Sequence, residues 1–313
     1  TIEFIEIAST GNAVDFGDLS NARDRAGGAA STTRGLVAGG HHPSGNYSQI
    51  ESIQLATLGN GVDFGDLTRQ SWTMACMSNI TRGVWGAGDP TTNVIDFLEI
   101  ESAGTATDFG DATVARFNNR GSSNGHAGIE ADFPRAPELY SPTGKVLPQG
   151  GGRGDIGLFA GGDPGNDDTI QHVTISTTGN ATDFGNLTVG RFETDAVSNG
   201  TRALWGGGKH SSIVDVIDYV EFRSKGNAAD FGNLTGVRHK FGACSNSTRG
   251  VWGGGQNPSG RVDVIDFVTI ATVGNASDFG DLVAVNVGVC STGSTTRGVF
   301  AGGTSPSRVD VIQ

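Results

Sequence analysis

Apolar residues in this chain cluster in short runs that do not keep a helical period. In 262–270 the residues Val264, Ile265, Phe267, Val268 and Ile270 fall on both parities of an extended segment. Such a run suits a strand buried on both faces. Turn chemistry fills the gaps: Val273-Gly274-Asn275 before one strand, Pro258-Ser259-Gly260 before another, and Ser245-Asn246-Ser247-Thr248 between two more. Only four Lys occur, with few Leu or Glu, which suits helices badly. The pattern predicts an all-β chain.

The runs repeat. Asp-Phe-Gly begins at Asp15, Asp63, Asp108, Asp183, Asp230 and Asp278. A second anchor, Arg followed by small and apolar residues, is centred on Arg34, Arg82, Arg202, Arg249 and Arg297, with Ile156 in the remaining copy. The unit is about 47 residues long and occurs six times. From each Asp-Phe-Gly it is eight residues to Arg23, Ser71, Arg116, Arg191, Arg238 or Asn286. From there to the second anchor is 11, except in the third copy, where it is 40. The next joint is elastic, at 26 to 29 residues.

Each unit reads as four strands, a to d; in the fifth copy these are 240–245, 250–255, 262–270 and the stretch around 278–282. Six four-stranded units with doubly buried strands predict a six-bladed β-propeller forming one domain over 1–313. Expected blades are 20–68, 69–113, 114–188, 189–235, 236–283, and 284–313 joined by 1–19. The last is mixed, because the chain begins in strand c and ends in strands a and b; this removes free edges. Asp310-Val311-Ile312 also resembles the start of a strand c. An insert at 125–153 interrupts the third blade. Trp85, Trp205 and Trp252, with Val37, Phe159 and Phe300 at the same position, are expected in the core between blades.

Composition adds exclusions. Gly numbers 51 of 313, yet no Gly-X-Y period is present, so collagen is out. No apolar run reaches the ~18 residues of a membrane helix, so no membrane insertion is expected. The formal charge of −12 argues against a nucleic-acid partner, since phosphates need a positive surface.

The order of strand a, a Gly-Gly end to strand b, an apolar strand c and an Arg eight residues after strand d begins resembles the kelch repeat. The departure is Phe16, Phe64, Phe109, Phe184, Phe231 and Phe279, where kelch repeats usually carry Trp. The stretches 264–282 and 245–255 are similar to glycine-rich kelch-like repeats in structural proteins of marine, cyanophage-type bacteriophages. The resemblance covers the chain outside the insert. It implies a virion-surface location, on a phage tail fibre or capsid exterior, or otherwise an extracellular one.

Candidate chemistry is sparse. Six Asp-Phe-Gly triplets without a kinase's other motifs are structural: the Asp is expected to cap its own turn and the Phe to pack between blades. The repeated Arg are expected to pair with repeated Asp or with carbonyls between blades. Cys76, Cys244 and Cys290 fall in strand a, near the axis, as buried thiols. Arg153-Gly154-Asp155 matches an integrin-type tripeptide, and sequons such as Asn246-Ser247-Thr248 recur with the repeat. His41, His42 and Tyr47 could form a weak metal site, but no ligand set is complete, so no metal, cofactor or catalytic residue is assigned. The elastic b–c loops are expected to share one face with the constant d–a joints. Variation on one face of a constant scaffold suits binding. Candidate ligand contacts there are His41, His42, Tyr47, Asp89, Asp163, Asp167, Asp168, His210 and Arg261. In the proline-rich insert, Phe133, Arg135, Leu139 and Tyr140 are candidate partner-docking residues. The expected function is a non-enzymatic propeller binding a host cell-surface glycan or protein. The rivals are a structural element docking to other virion proteins and, third, an oxidase or glycan-processing enzyme.

Overall fold

Strands that are apolar on both faces need a neighbour on each face, and a closed ring of sheets supplies two to every blade. A computed structural model of the chain describes residues 1–126, 129 and 154–305. Among these residues there is no helix, and the repeats form six four-stranded antiparallel sheets. Blade 1 is Gly27–Ala30, Arg34–Ala38, Gln49–Gln54 and Val62–Asp66, in the order a to d. Blade 2 is Ala75–Ser78, Arg82–Gly86, Thr92–Glu99 and Thr107–Arg116. Blade 3 is Arg120–Ser123, Ile156–Ala160, Thr169–Thr174 and Thr182–Asn186. Blade 4 is Asp195–Ser198, Arg202–Gly206, Val216–Glu221 and Ala229–Asn233. Blade 5 is Gly242–Ser245, Arg249–Gly253, Val264–Thr269 and Ser277–Asp281. Blade 6 combines Cys290–Gly293 and Arg297–Ala301 with Ile2–Glu6 and Val14–Gly17. The mixed blade is therefore as expected, with Phe4 opposite Val299. The strands a touch one another in sequence all the way round, so they line the axis. The segment 310–312 lies outside the described residues.

The core sits between blades. Trp85 of blade 2 packs on Leu36 and Ile50 of blade 1, and Trp252 of blade 5 packs on Leu204 and Ile217 of blade 4. Each indole has one polar atom to satisfy, and each donates it to the preceding blade's inner region: Trp85 to Gly27 O, Trp205 to Arg120 O and Trp252 to Asp195 O, at 3.2–3.4 Å.

Asp-Phe-Gly has a role only in the ring. The Phe is buried, whereas the Asp stands exposed at the outer edge rather than capping its own turn. Capping comes from the next blade: Asn60, Asn180, Asn227, Asn275 and Asn12 accept from the amide that follows five of the six Gly, at 3.0–3.1 Å, and Thr105 stands in the Asn position opposite Gly65. The Gly is needed because the two backbones touch. A Cβ on Gly65, whose φ is +147°, would lie 1.9 Å from Gly104 O.

Strand c carries a buried polar position that its apolar pattern conceals. Glu51, Asp96, Gln171, Asp218 and Asp266 are fully buried, and Glu3 nearly so. The Arg eight residues after Asp-Phe-Gly serves it within the same blade. Arg191 pairs with Asp218 and Arg238 with Asp266 at 2.8 Å, and Arg23 pairs with Glu51. Thr188 and Thr235 donate hydroxyl and amide to the same carboxylates. Where the repeat deviates, the charge is restored from elsewhere. Blade 2 has Ser71 in the Arg position, and Arg69 reaches Asp96 instead, at 3.0 Å. Blade 3 has neutral Gln171, and Arg116 turns to Asp167 at 3.0 Å.

Blade 6 is the exception. It has Asn286 for Arg and Val283 for Thr, and Glu3 is left with the Val283 amide at 3.0 Å. Burial pushes the Glu3 carboxyl above its ordinary value. A carboxyl raised on folding favours the native state as pH falls toward its unfolded value and disfavours it once ionised at higher pH. Asn286 already donates to Gly302 O, the equivalent of the Gly254 carbonyl that Arg238 uses. Asn286→Arg is therefore expected to reach Glu3 and stabilise the protein at pH 7 by about 1 kcal/mol. Urea unfolding at pH 5 and pH 7 checks this: the gain should be larger at pH 7, and equal gains would contradict the pairing.

The second Arg set joins blades. Arg34, Arg82, Arg202, Arg249 and Arg297 donate to Ile100, Ile175, Ile270, Ile7 and Leu55 carbonyls of the next blade at 2.8–3.3 Å. In blade 3 Ile156 takes the Arg position and cannot make this clasp.

Candidate functional site

Two loop sets meet on one face. Backbone bridges join each d–a joint to the start of its blade's b–c loop: Asp24 to His41, Trp72 to Asp89, Phe117 to Asp163, Phe192 to Lys209, His239 to Gln256 and Val287 to Thr304. The expected sharing of a face by constant and elastic joints is thus present. Blades 1 and 5 elaborate their b–c loops into small hairpins, His41–His42 with Gly45–Asn46 and Gln256–Asn257 with Gly260–Arg261.

The residue after each bridge forms the inner rim. Arg25, Thr73, Asn118, Glu193, Lys240 and Gly288 all take left-handed φ, between 54° and 71°. Their amides and carbonyls run round the axis as a belt. Gly288 donates to Lys240, Lys240 to Glu193, Glu193 to Asn118, Thr73 to Arg25 and Arg25 to Gly288, at 2.7–3.2 Å. Five non-equivalent side chains and one glycine are thereby held around one opening by a backbone that hardly varies. Glu193 sits between His239 at 2.7 Å and Lys240 at 3.4 Å. Burial pushes its carboxyl up, but these two partners more than offset that and hold it below the ordinary range.

The axis below is narrow. Its inner part is lined by Arg120 and Asp195, 3.8 Å apart, and burial raises Asp195 to about 6. Further down come Ser78, Ser122, Ser123 and Ser245, with His126 against Ser198 O at 3.0 Å. Burial lowers His126 to about 4, so its ring is neutral near pH 7. The cavity here is about 80 Å³, room for a few waters and too small for a sugar ring. Cys76, Cys244 and Cys290 lie along this channel as expected, and burial pushes the Cys76 thiol up to about 12, so it is a poor nucleophile.

The candidate ligand residues all reach the loop face but spread over five blades. His41 stacks on Trp72 with ring centroids 4.7 Å apart, and its Nδ1 lies 3.4 Å from Asp24. His42 meets Ser44 Oγ at 2.6 Å, and Tyr47 packs over the Arg23 guanidinium at 5.4 Å. Asp167 is engaged by Arg116, and Asp168 is half-buried. His210, exposed, meets Gly190 O at 2.9 Å in blade 4, and exposed Arg261 belongs to blade 5. Asp89 and Asp163 lie beside the inner rim through Trp72 and Phe117. Among the described residues no group of three His, Cys, Asp or Glu is placed to hold a metal. Phe133, Arg135, Leu139 and Tyr140 lie outside the described residues, as does Arg153. Asp155 accepts from Ser176 N at 2.8 Å and Asn79 at 3.3 Å, so the carboxylate of the Arg-Gly-Asp triplet serves the fold. The sequon residues Asn79, Asn199 and Asn246 are likewise buried, each accepting from the amides two and three residues on.

The inner-rim residues escaped the motif reading. Their signal was present: two residues after the repeated Arg position stand Arg25, Thr73, Asn118, Glu193, Lys240 and Gly288, varied at a fixed place in the repeat. No family model matches the chain, and none of the curated proteins is significantly similar to it.

Proposed function

We propose that the chain is a non-enzymatic surface-binding propeller, carried on a phage particle and recognising a host cell-surface glycan through its loop face. The observation that supports this most is the uneven distribution of variation. Strand pairings repeat in all six blades, the buried ion pair in four and the inter-blade clasp in five, while b–c loops and inner-rim side chains differ on a single face. A fold needs only the first set; the second is what a recognition surface varies. The resemblance to phage kelch-like repeats supplies the virion setting.

Labelled protein is expected to bind marine bacterial cells saturably, and periodate treatment of the cells is expected to remove that binding. Loss on protease treatment instead would point to a protein receptor. Absence of saturable binding across the cell panel would overturn the proposal.

A second reading is favoured by the opposite face. The insert leaves and returns through Gly125 and Gly154, which are in backbone contact at the a–b end of blade 3, away from the loop face. A segment placed there could dock the propeller to another virion protein while the loop face stays open.

A further inference from the structure

Three consecutive blades break the six-fold pattern in the same way. At the bridge between d–a joint and b–c loop, blades 2, 3 and 4 pair an aromatic residue with a charged one: Trp72 with Asp89, Phe117 with Asp163, Phe192 with Lys209. Blade 1 pairs Asp24 with His41, blade 5 His239 with Gln256, and blade 6 Val287 with Thr304. The fold therefore does not require an aromatic ring here. All three rings are half-buried, Trp72 with His41 at 4.7 Å and the Arg25 guanidinium at 4.9 Å from its ring, and the other three tryptophans are fully buried. The charged partners are not consumed by ion pairs. Among the described residues Asp89 makes no side-chain hydrogen bond or salt bridge, and Asp163 has one long contact, 3.5 Å from Asn118 Nδ2. Lys209 lies over the Phe192 ring at 6.0 Å.

We infer that this crescent of Trp72, Phe117 and Phe192 with Asp89, Asp163 and Lys209 is the contact surface for a neutral oligosaccharide. The inference rests on the surface-binding reading above. A pyranose has an apolar C–H face and a rim of hydroxyls. Laid on an aromatic ring, the C–H face removes apolar surface from water on both sides. The rim then meets carboxylates that accept from hydroxyls and an ammonium that donates to them, the stronger class of hydrogen bond. An acidic sugar would face the Asp89 and Asp163 carboxylates, with Lys209 and Arg25 as the nearby cations, on a chain of formal charge −12. The occupant is an oligomer because the three platforms lie on successive blades. It lies across the face because the axial cavity cannot admit a sugar ring.

The test titrates the intact protein with hexasaccharides derived from glucan, mannan and galactan, and with uronic-acid oligomers of equal length. Trp72 gives the readout, since Trp85, Trp205 and Trp252 are shielded from solvent. A neutral hexasaccharide is expected to change the fluorescence saturably. Phe117→Ala and Asp163→Asn are each expected to weaken binding about tenfold, measured by calorimetry, with melting temperature little changed. Asp230→Ala and Asp278→Ala, at the exposed outer edge of their blades, serve as controls and should bind as the native protein does. Three results overturn the inference: no neutral hexasaccharide binds, the uronic-acid oligomers bind more tightly, or a Trp72→Ala/Phe117→Ala double variant binds undiminished. Cell adsorption of the same variants separates the two levels. Adsorption unaffected by the double variant rejects the crescent and leaves the surface-binding reading standing. No adsorption by the native protein rejects that reading itself.

Discussion

Asp218→Ala is expected to destabilise the protein by about 3–5 kcal/mol, measured as a fall in the urea midpoint followed by tryptophan fluorescence. The reason lies in what remains. Arg191 and Asp218 are both fully buried, 2.8 Å apart. Asp218 also accepts the Thr188 hydroxyl and amide at 2.6 and 3.1 Å. Without the carboxylate, a guanidinium stays in the interior with only the Trp205 and Val189 carbonyls, at 3.0 and 3.3 Å, and the Thr188 donors lose their acceptor. The desolvation cost of the charge persists while its compensation is gone. The double variant Arg191→Met/Asp218→Leu removes both charges and should recover most of the loss. A single variant costing less than about 1 kcal/mol would show that the pair is not a determinant of stability. Blade 3 makes the same point naturally: with Gln171 in the acid position, Arg116 finds Asp167 rather than remaining unpaired.

Trp252→Ala should cost a similar amount, about 3–5 kcal/mol, through the cavity it leaves. The side chain is fully buried among Leu204, Ile217, Phe231 and Phe241, and its Nε1 donates to Asp195 O at 3.2 Å. Because these neighbours belong to blade 4 as well as blade 5, the loss falls on a blade interface rather than within one sheet. Trp252→Phe is expected to be milder, about 1–2 kcal/mol, since Phe159 and Phe300 occupy the same position in blades 3 and 6. Urea unfolding compares the two. Equal losses for Phe and Ala would mean the indole hydrogen bond, and not the volume, sets the cost.

Much of this architecture was legible because a repeat states each requirement several times. Strand c shows its double burial as an apolar run, and Asp-Phe-Gly and the Arg anchors mark strand ends at constant distances. The closing blade followed from where strands c and d stand relative to the N-terminus. Pairing partners were harder. The Arg eight residues after Asp-Phe-Gly meets an acid in its own blade, some 27 residues on, as Arg191 meets Asp218. The Arg of the second anchor crosses to the next blade, as Arg202 does to Ile270 O. Nothing in one-dimensional spacing separates these two destinations. The exposed Asp of Asp-Phe-Gly shows the same limit: its expected cap is made by an asparagine about 42 residues away, across a blade boundary, as in Asp18 and Asn60.

Among candidate contacts, the loop face was legible from its elastic length, but the arrangement within it was not. Asp167 looked like a free loop carboxylate, yet it neutralises Arg116 because Gln171 cannot. Trp72, Phe117 and Phe192 carry no motif of their own, and only the ring shows them half-buried at the bridges of the loop face. Local chemistry and periodicity therefore settle the strand, the blade count and the ring, since those depend on backbone sterics and burial repeated in each copy. Which charges are spent inside the fold and which stand outside its ion pairs depends on distances between different blades. Those distances exist only after the ring has closed.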